Sequence, residues 1–190
     1  MTIVRAAGSV TFPSRFTLVG AMNPCPCGYR GDGRTRCRCR DAEVRSYLAR
    51  LSGPLLDRID LQIEVGRVAT DDLLAEAPAP DGESARVRSR VIAARERAAH
   101  RFGGEAGVFA NAQLGPRLVR RHCLVRGAGR ALLRAAAERL ALTARSLDRV
   151  LKVARTIADL DGGSPEIEER HLAEALQYRG LERTWPRPEE

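Results

Sequence analysis

Lysine is almost absent from this chain. Lys152 is the sole example, and every other basic side chain is an arginine. A phosphate-cradling loop of the form G-x-x-x-x-G-K-[ST] needs a lysine after a glycine turn. Lys152 sits inside an apolar-periodic helix with no glycine loop before it, so these 190 residues carry no such loop. Aromatic residues are also scarce, at 4%, which leaves Leu, Val, Ile and Ala to build the core. No apolar run approaches a membrane span, and no apolar stretch follows Met1. Neither a signal peptide nor a transmembrane helix is therefore expected, and the expected location is cytoplasmic, without membrane association.

What is present points to a folded protein. Hydrophobic residues make up 44% and charged residues 29%, enough for one medium domain or two small ones. The formal net charge of +8 favours anionic partners such as nucleic acid or nucleotide phosphates. The arginine bias, together with abundant alanine and glycine, equally fits a base-composition effect.

The most informative stretch is residues 16–40. It reads as an apolar run, Phe16 to Met22, then Asn23, then Cys25, Cys27, Cys37 and Cys39 in an arginine-rich loop. The run lacks alternation, which suits a strand covered on both faces of a parallel α/β sheet. Ligands bind at the carboxyl ends of such strands, where Asn23 falls. A short amide there can orient a water or touch a phosphate; it can equally start an Asn-Pro turn. The array C-x-C, nine residues, C-x-C can close around one Zn2+ as a structural site, although the spacing departs from the usual C-x2–4-C. Reduced thiols or a redox pair remain open alternatives. Arg34, Arg36, Arg38 and Arg40 would lower the thiol pKa values. Cys123 stands apart and reads as a small buried apolar residue.

Along the chain, residues 2–12 read as a β-hairpin with a glycine in its connection. Residues 41–51 read as a helix capped by Asp41. Leu61, Ile63 and Val65 alternate with Gln62 and Glu64 as a half-buried strand. Arg58 lies between Asp57 and Asp60 and can be a surface ion-pair residue. The composition of 75–83 is that of a linker. Beyond it the pattern is helical: a helix over 84–102 closed by Gly103 and Gly104, a looser segment over 111–121, and a helix over 127–142. A third helix is capped by Thr143 and stopped by Gly162 and Gly163, and a fourth covers about 168–179. The expected domains are an α/β portion over 1–75 with the cysteine loop at 24–40, a linker at 76–83, a helical domain at 84–183 and a mobile tail at 184–190. Two or three strands do not complete a parallel sheet, so the α/β part is expected to be a portion of a larger one.

The segments VTFPSRFTLVGAMNPCPCG, RLSGPLLDRIDLQIEV and TARSLDRVLKVARTIADL through HLAEALQYR resemble the C-terminal part of the magnesium-chelatase-like AAA+ ATPases, and within them the ComM/YifB type. The resemblance covers nearly all of residues 2–183. It implies the end of an AAA+ α/β core, with a β-hairpin and a cysteine-rich insertion, followed by an all-α lid. By the same resemblance the hairpin matches one that faces the pore of related hexameric motors. Asn23 matches sensor 1, Arg58 an arginine finger that reaches a neighbouring subunit's nucleotide, and Arg145 sensor 2; the cysteines match a zinc-binding insertion. The family uses ATP and Mg2+, works as a homo-hexamer, and would act on DNA in remodelling or branch migration. Its Walker A and Walker B motifs are missing here and are expected upstream, so the chain by itself is expected to be inactive as an ATPase. A second expectation, of a different class, is a non-catalytic, zinc-stabilised basic module for nucleic-acid binding or assembly. A porphyrin-metallating role is disfavoured by the MNPCPCG insertion.

Overall fold

The computed structural model describes residues 1–12, 16–75 and 82–179. Most of the expected linker and the whole expected tail lie outside the described residues. The chain divides into two compact units, Met1–Tyr47 and Leu48–Glu190.

In the first unit, β1 (Thr2–Arg5) and β2 (Gly8–Thr11) form the expected antiparallel hairpin, with Arg5 opposite Gly8. The two-residue connection Ala6-Ala7 has no positive φ, and Gly8 takes φ 141° as the chain turns back. Glycine reaches that region without a Cβ penalty. The ends are tied by Met1 and Phe12, which exchange bonds of 2.9 and 2.8 Å. Helix α1 (Asp41–Leu48) follows the cysteine loop. Glu43 accepts from the Arg40 backbone at 2.8 Å, satisfying a donor at the helix start.

Two strand expectations are corrected. Residues 16–22 and 61–65 form no strand, and their apolar side chains face outward: Val19 is 89% exposed and Val65 85%. A strand of this kind needs a neighbour's N–H and C=O groups and a cover on each face. The only sheet among the described residues is the two-stranded hairpin, which offers neither. The partial parallel sheet expected from the sequence is therefore not formed within these residues.

The second unit is helical. Short helices α2 (Gly53–Leu56) and α3 (Thr70–Leu74) precede α4 (Glu83–Phe102), a 3-10 turn at Asn111–Gln113, α5 (Pro116–His122), α6 (Gly127–Arg139), α7 (Ala144–Leu160) and α8 (Glu169–Gln177). Helix α7 is central, packing on α8, α4 and α5, while α6 packs on α8. Its stripe of Val150, Ala154 and Ala158 is buried, as its 3.6-residue period predicts. The core adds Phe102, Leu118, Val119, Cys123, Ile167 and Leu172. Only the C-terminal half of the α4 stripe is used: Ala94, Ala98 and Phe102 are buried, whereas Val87 and Val91 are exposed. Helices α6 and α8 approach closely at Gly129, where an added Cβ would stand 3.1 Å from Leu172 and Val125.

The helix ends behave as their residues require. Thr143 accepts from the Ser146 backbone at 3.1 Å and caps α7. Gly162 takes φ 104°, and Gly163 N–H donates to Ala158 at 2.8 Å, a Schellman closure. Helix α6 closes the same way, with Leu142 N–H on Ala137 at 3.0 Å and Ala141 N–H on Glu138 at 3.4 Å. There the left-handed position is filled by Ala141, at φ 48°, not by glycine.

A polar knot lies under the core. Asp159, 1% exposed, accepts from both Arg101 and Arg155 and from Asn111 Nδ2 at 2.9 Å. Arg155, also 1% exposed, donates onward to the Ser164 and Pro165 carbonyls at 2.6 and 3.2 Å. Burial holds its pKa below the usual arginine range, and the Asp159 carboxylate opposes that shift.

Candidate functional site

Cys25 and Cys27 enter the loop at a turn closed by Gly28 N–H on Cys25 O at 3.0 Å; Gly28, Gly31 and Gly33 all take positive φ there. This backbone brings Cys37 and Cys39 back against the first pair. All four sulfurs lie within 4.8 Å of one another. The Cys25–Cys27, Cys27–Cys37 and Cys25–Cys37 separations are 3.4, 3.6 and 3.7 Å. Four thiolates on a tetrahedral Zn2+ stand about 3.8 Å apart, so the spread fits a four-sulfur metal site. All five cysteines are free, and the sulfur separations are too long for a disulfide.

The thiols are not equivalent. Backbone N–H groups of Tyr29 and Arg38 donate to Cys27 and pull its pKa down to about 6. Cys39 also receives a backbone N–H, from Cys27, yet partial desolvation and the neighbouring sulfurs push it up to about 12. One sulfur is therefore ready to ionise while its neighbour resists. The lowering comes chiefly from backbone donors and not from the guanidiniums of Arg34, Arg36, Arg38 or Arg40. Those arginines are exposed, and Arg40 pairs with Glu43 at 3.1 Å. Cys123 is in the helical core, as its type suggests, and burial pushes its thiol up to about 11.

Asn23 lies in this first unit, exposed, with its side-chain amide over Gly28: an added Cβ on Gly28 would stand 3.7 Å from Asn23 Nδ2. No strand leads into it. The first turn after it is the one at Pro26 and Cys27, closed by Gly28 N–H on Cys25 O.

Arg58 and Arg145 belong to the helical unit and are brought to one region by the residues beside them. Ser146 Oγ donates to Asp57 Oδ1. Arg149 pairs with Asp60. Arg179, 1% exposed, donates to Ile59 O at 2.6 Å and lies 3.6 Å from Asp57 Oδ1. Gln62 completes the attachment, with its N–H on Tyr178 O at 2.9 Å and its Nε2 on Leu56 O at 3.2 Å. Both aspartates that flank Arg58 are thus engaged, Asp57 by Ser146 of α7 and by Arg179 in the turn after α8, and Asp60 by Arg149 of α7. Arg58 itself is exposed and donates only to Pro54 O, at 2.7 Å, among the described residues. The surface ion pair with Asp57 or Asp60 that its sequence position suggests is not formed. Arg145 is exposed in the first turn of α7, next to Ser146.

Sequence reasoning placed Arg179 only on the apolar stripe of the fourth helix, with Leu172, Ala175 and Leu176. A charged residue in a buried register was the available signal, because such a side chain needs a partner. Ser146 and Arg149 gave no signal, since their partners lie 89 positions away.

The helical unit after a cysteine-bearing segment agrees with the comparisons. Residues 1–73 match the family described as magnesium chelatase, subunit ChlI, and residues 81–179 match its C-terminal part. The chain belongs to this magnesium-chelatase (ChlI) family. It is 42% identical over 183 residues to the competence protein ComM of Haemophilus influenzae, covering 95% of this chain and 34% of that protein. It is 40% identical over 180 residues to the uncharacterised protein YifB of Escherichia coli K12, covering 94% and 34%. An uncharacterised protein of Mycobacterium tuberculosis H37Rv is 42% identical over 179 residues, covering 93% and 34%. The chain thus spans about a third of the length of these relatives. The helical second unit fits a lid domain. No helix of the described residues is long and apolar enough to cross a membrane.

Proposed function

We propose that the chain is the C-terminal portion of a ComM-type AAA+ ATPase that binds ATP and Mg2+, assembles as a cytoplasmic hexamer and remodels DNA. Walker A and Walker B would be supplied by residues outside these 190. The observation that carries the reading is the state of Arg58. Its two neighbouring carboxylates are engaged by Ser146, Arg149 and Arg179, and among the described residues its exposed guanidinium meets no carboxylate. An unneutralised arginine on an anchored turn can reach a neighbour's nucleotide and offset the charge that develops on the transferred phosphoryl group. Arg145, at the first turn of α7, would sense the bound phosphates, where the helix's positive end also favours an anion. Asn23 would act as sensor 1 once flanking strands order residues 16–22. ATP turnover by the native polypeptide, with and without branched DNA, tests this. Arg58→Ala should lower kcat by about 1000-fold, the scale for a missing arginine finger. Unchanged turnover would remove the assignment.

A second reading concerns the cysteine loop. Its four sulfurs support a structural Zn2+ held by Cys25, Cys27, Cys37 and Cys39, with the exposed arginines of 34–40 as a surface for nucleic acid or assembly. Charge reversal at Arg36 and Arg38 should weaken DNA binding and flatten its salt dependence by about one phosphate contact each. Unchanged binding would leave the loop with a structural role alone.

A further inference from the structure

The turn that carries Arg58 is fastened by unusually specific means. Exposed turns are ordinarily held by their own backbone and tolerate change. Residues 57–62 are held by Ser146 and Arg149 of α7 and by Arg179 in the turn after α8, all far along the chain. Arg179 is the key member. Its side chain is 1% exposed, and among the described residues it donates to the carbonyl of Ile59, the residue after Arg58, and lies 3.6 Å from Asp57 Oδ1, on the residue before. A buried guanidinium is retained at a desolvation cost unless its geometry is useful or well paired. Here the pairing brackets one exposed arginine. The second fastening is Ser146 Oγ on Asp57, and Ser146 is the residue next to Arg145. It is itself 3% exposed and sits in the capped first turn of α7, its backbone N–H bound to Thr143. Displacement of that turn moves Ser146, and through Asp57 the base of Arg58.

We propose that Arg179 is a positioning residue for Arg58, and that Arg179 and Ser146, both on Asp57, tie the reach of Arg58 to the position of the α7 first turn that bears Arg145. The inference rests on the reading of Arg58 and Arg145 given above. The coupling is a contact path of two side chains, Arg145 turn to Ser146, Ser146 to Asp57, with Arg179 closing it from the turn after α8. It assigns a reason for a buried arginine in the turn that follows α8, where an apolar residue would pack more cheaply.

The test uses the native polypeptide that hydrolyses ATP, with Arg58→Ala, Arg179→Gln and Ser146→Ala compared in kcat and KM. A misplacement of about 1 Å at a group acting in the transition state costs up to roughly 100-fold. Arg179→Gln should therefore lower kcat by about 10- to 100-fold, with KM for ATP held within about twofold, the pattern of an interaction made in the transition state. Ser146→Ala removes one hydrogen bond without emptying a buried site, so it folds and should lower kcat several-fold. Hydrogen exchange on this 190-residue chain gives a readout independent of activity. In both variants the Ile59 amide should exchange at least about tenfold faster while the α4 amides stay unchanged, because exchange follows local opening. If Arg58→Ala abolishes turnover while Ser146→Ala leaves kcat and Ile59 exchange at wild-type levels, the positioning inference fails and the reading of Arg58 stands. If Arg58→Ala itself leaves turnover intact, the reading of Arg58 fails and the inference falls with it.

Discussion

Asp159 is the residue whose charge the helical unit can least spare. It is 1% exposed and serves two guanidiniums, of which Arg155 is as deeply buried. Asp159→Asn keeps the shape of the side chain and an acceptor oxygen but removes the charge. Two cations are then left facing each other, one of them without access to water. Breaking a buried ion pair by removing one partner costs about 3–5 kcal/mol. That is a large share of the roughly 5–15 kcal/mol that holds a domain together. With a urea slope of about 2 kcal/mol/M the unfolding midpoint should fall by about 2 M. Asp60→Asn is the matched control, since Asp60 also pairs with one arginine of α7 but is 47% exposed. Exposed pairs contribute about 0–1 kcal/mol, so its midpoint should move by less than about 0.5 M. Urea unfolding of the two variants, followed by far-UV circular dichroism, decides the matter. Equal shifts would refute the argument that burial, not pairing, sets the value of these contacts.

Three further outcomes follow from other sites. Ala141→Gly should stabilise the chain by about 0.5–1 kcal/mol in the same assay, because Ala141 closes α6 at φ 48°, a conformation glycine takes without strain; destabilisation would mean the alanine methyl is needed for packing. Burial, aided by the Arg121 and Arg101 guanidiniums and opposed by Glu105, holds His122 below its ordinary 6.5, while Arg155 adds to the lowering and Phe102 faces the ring edge-on. A lowered histidine pKa gives stability that is full above pH 6.5 and lost as pH falls through the native value, so His122→Leu should flatten the decline in melting temperature below pH 6.5; an unchanged slope would assign that decline elsewhere. Purified chain should hold one Zn2+ by elemental analysis, and Cys37→Ser should lose it. Chelation should raise hydrogen exchange over residues 23–40 and leave α4–α8 unchanged, since the helical core contains none of the four ligands. Exchange unaltered over 23–40 would deny the metal a structural role.

The apolar period alone determined α4, α6, α7 and α8, because a helix is closed by bonds four residues apart and its caps are local, whereas the short α2, α3 and α5 were not read as helices. Thr143, Gly162 and the α7 stripe were legible for that reason, as was the hairpin, whose partner strands are joined by two residues. The four cysteines were legible as a group because their spacing lets one glycine-rich loop fold them together. Strands 16–22 and 61–65 were not decided locally. The apolar run of 16–22 and the alternation of 61–65 are present, but a strand exists only when a neighbour completes its hydrogen bonds, and the described residues hold none for them. The state of Arg58 was likewise out of reach: its neighbouring aspartates could bind it or turn away. Tertiary structure decided this, through Ser146, Arg149 and Arg179, which stand about 90 to 120 positions along the chain. Sequence carries what is fixed by near neighbours, and the charge left on Arg58 depends on which distant donors reach Asp57 and Asp60 first.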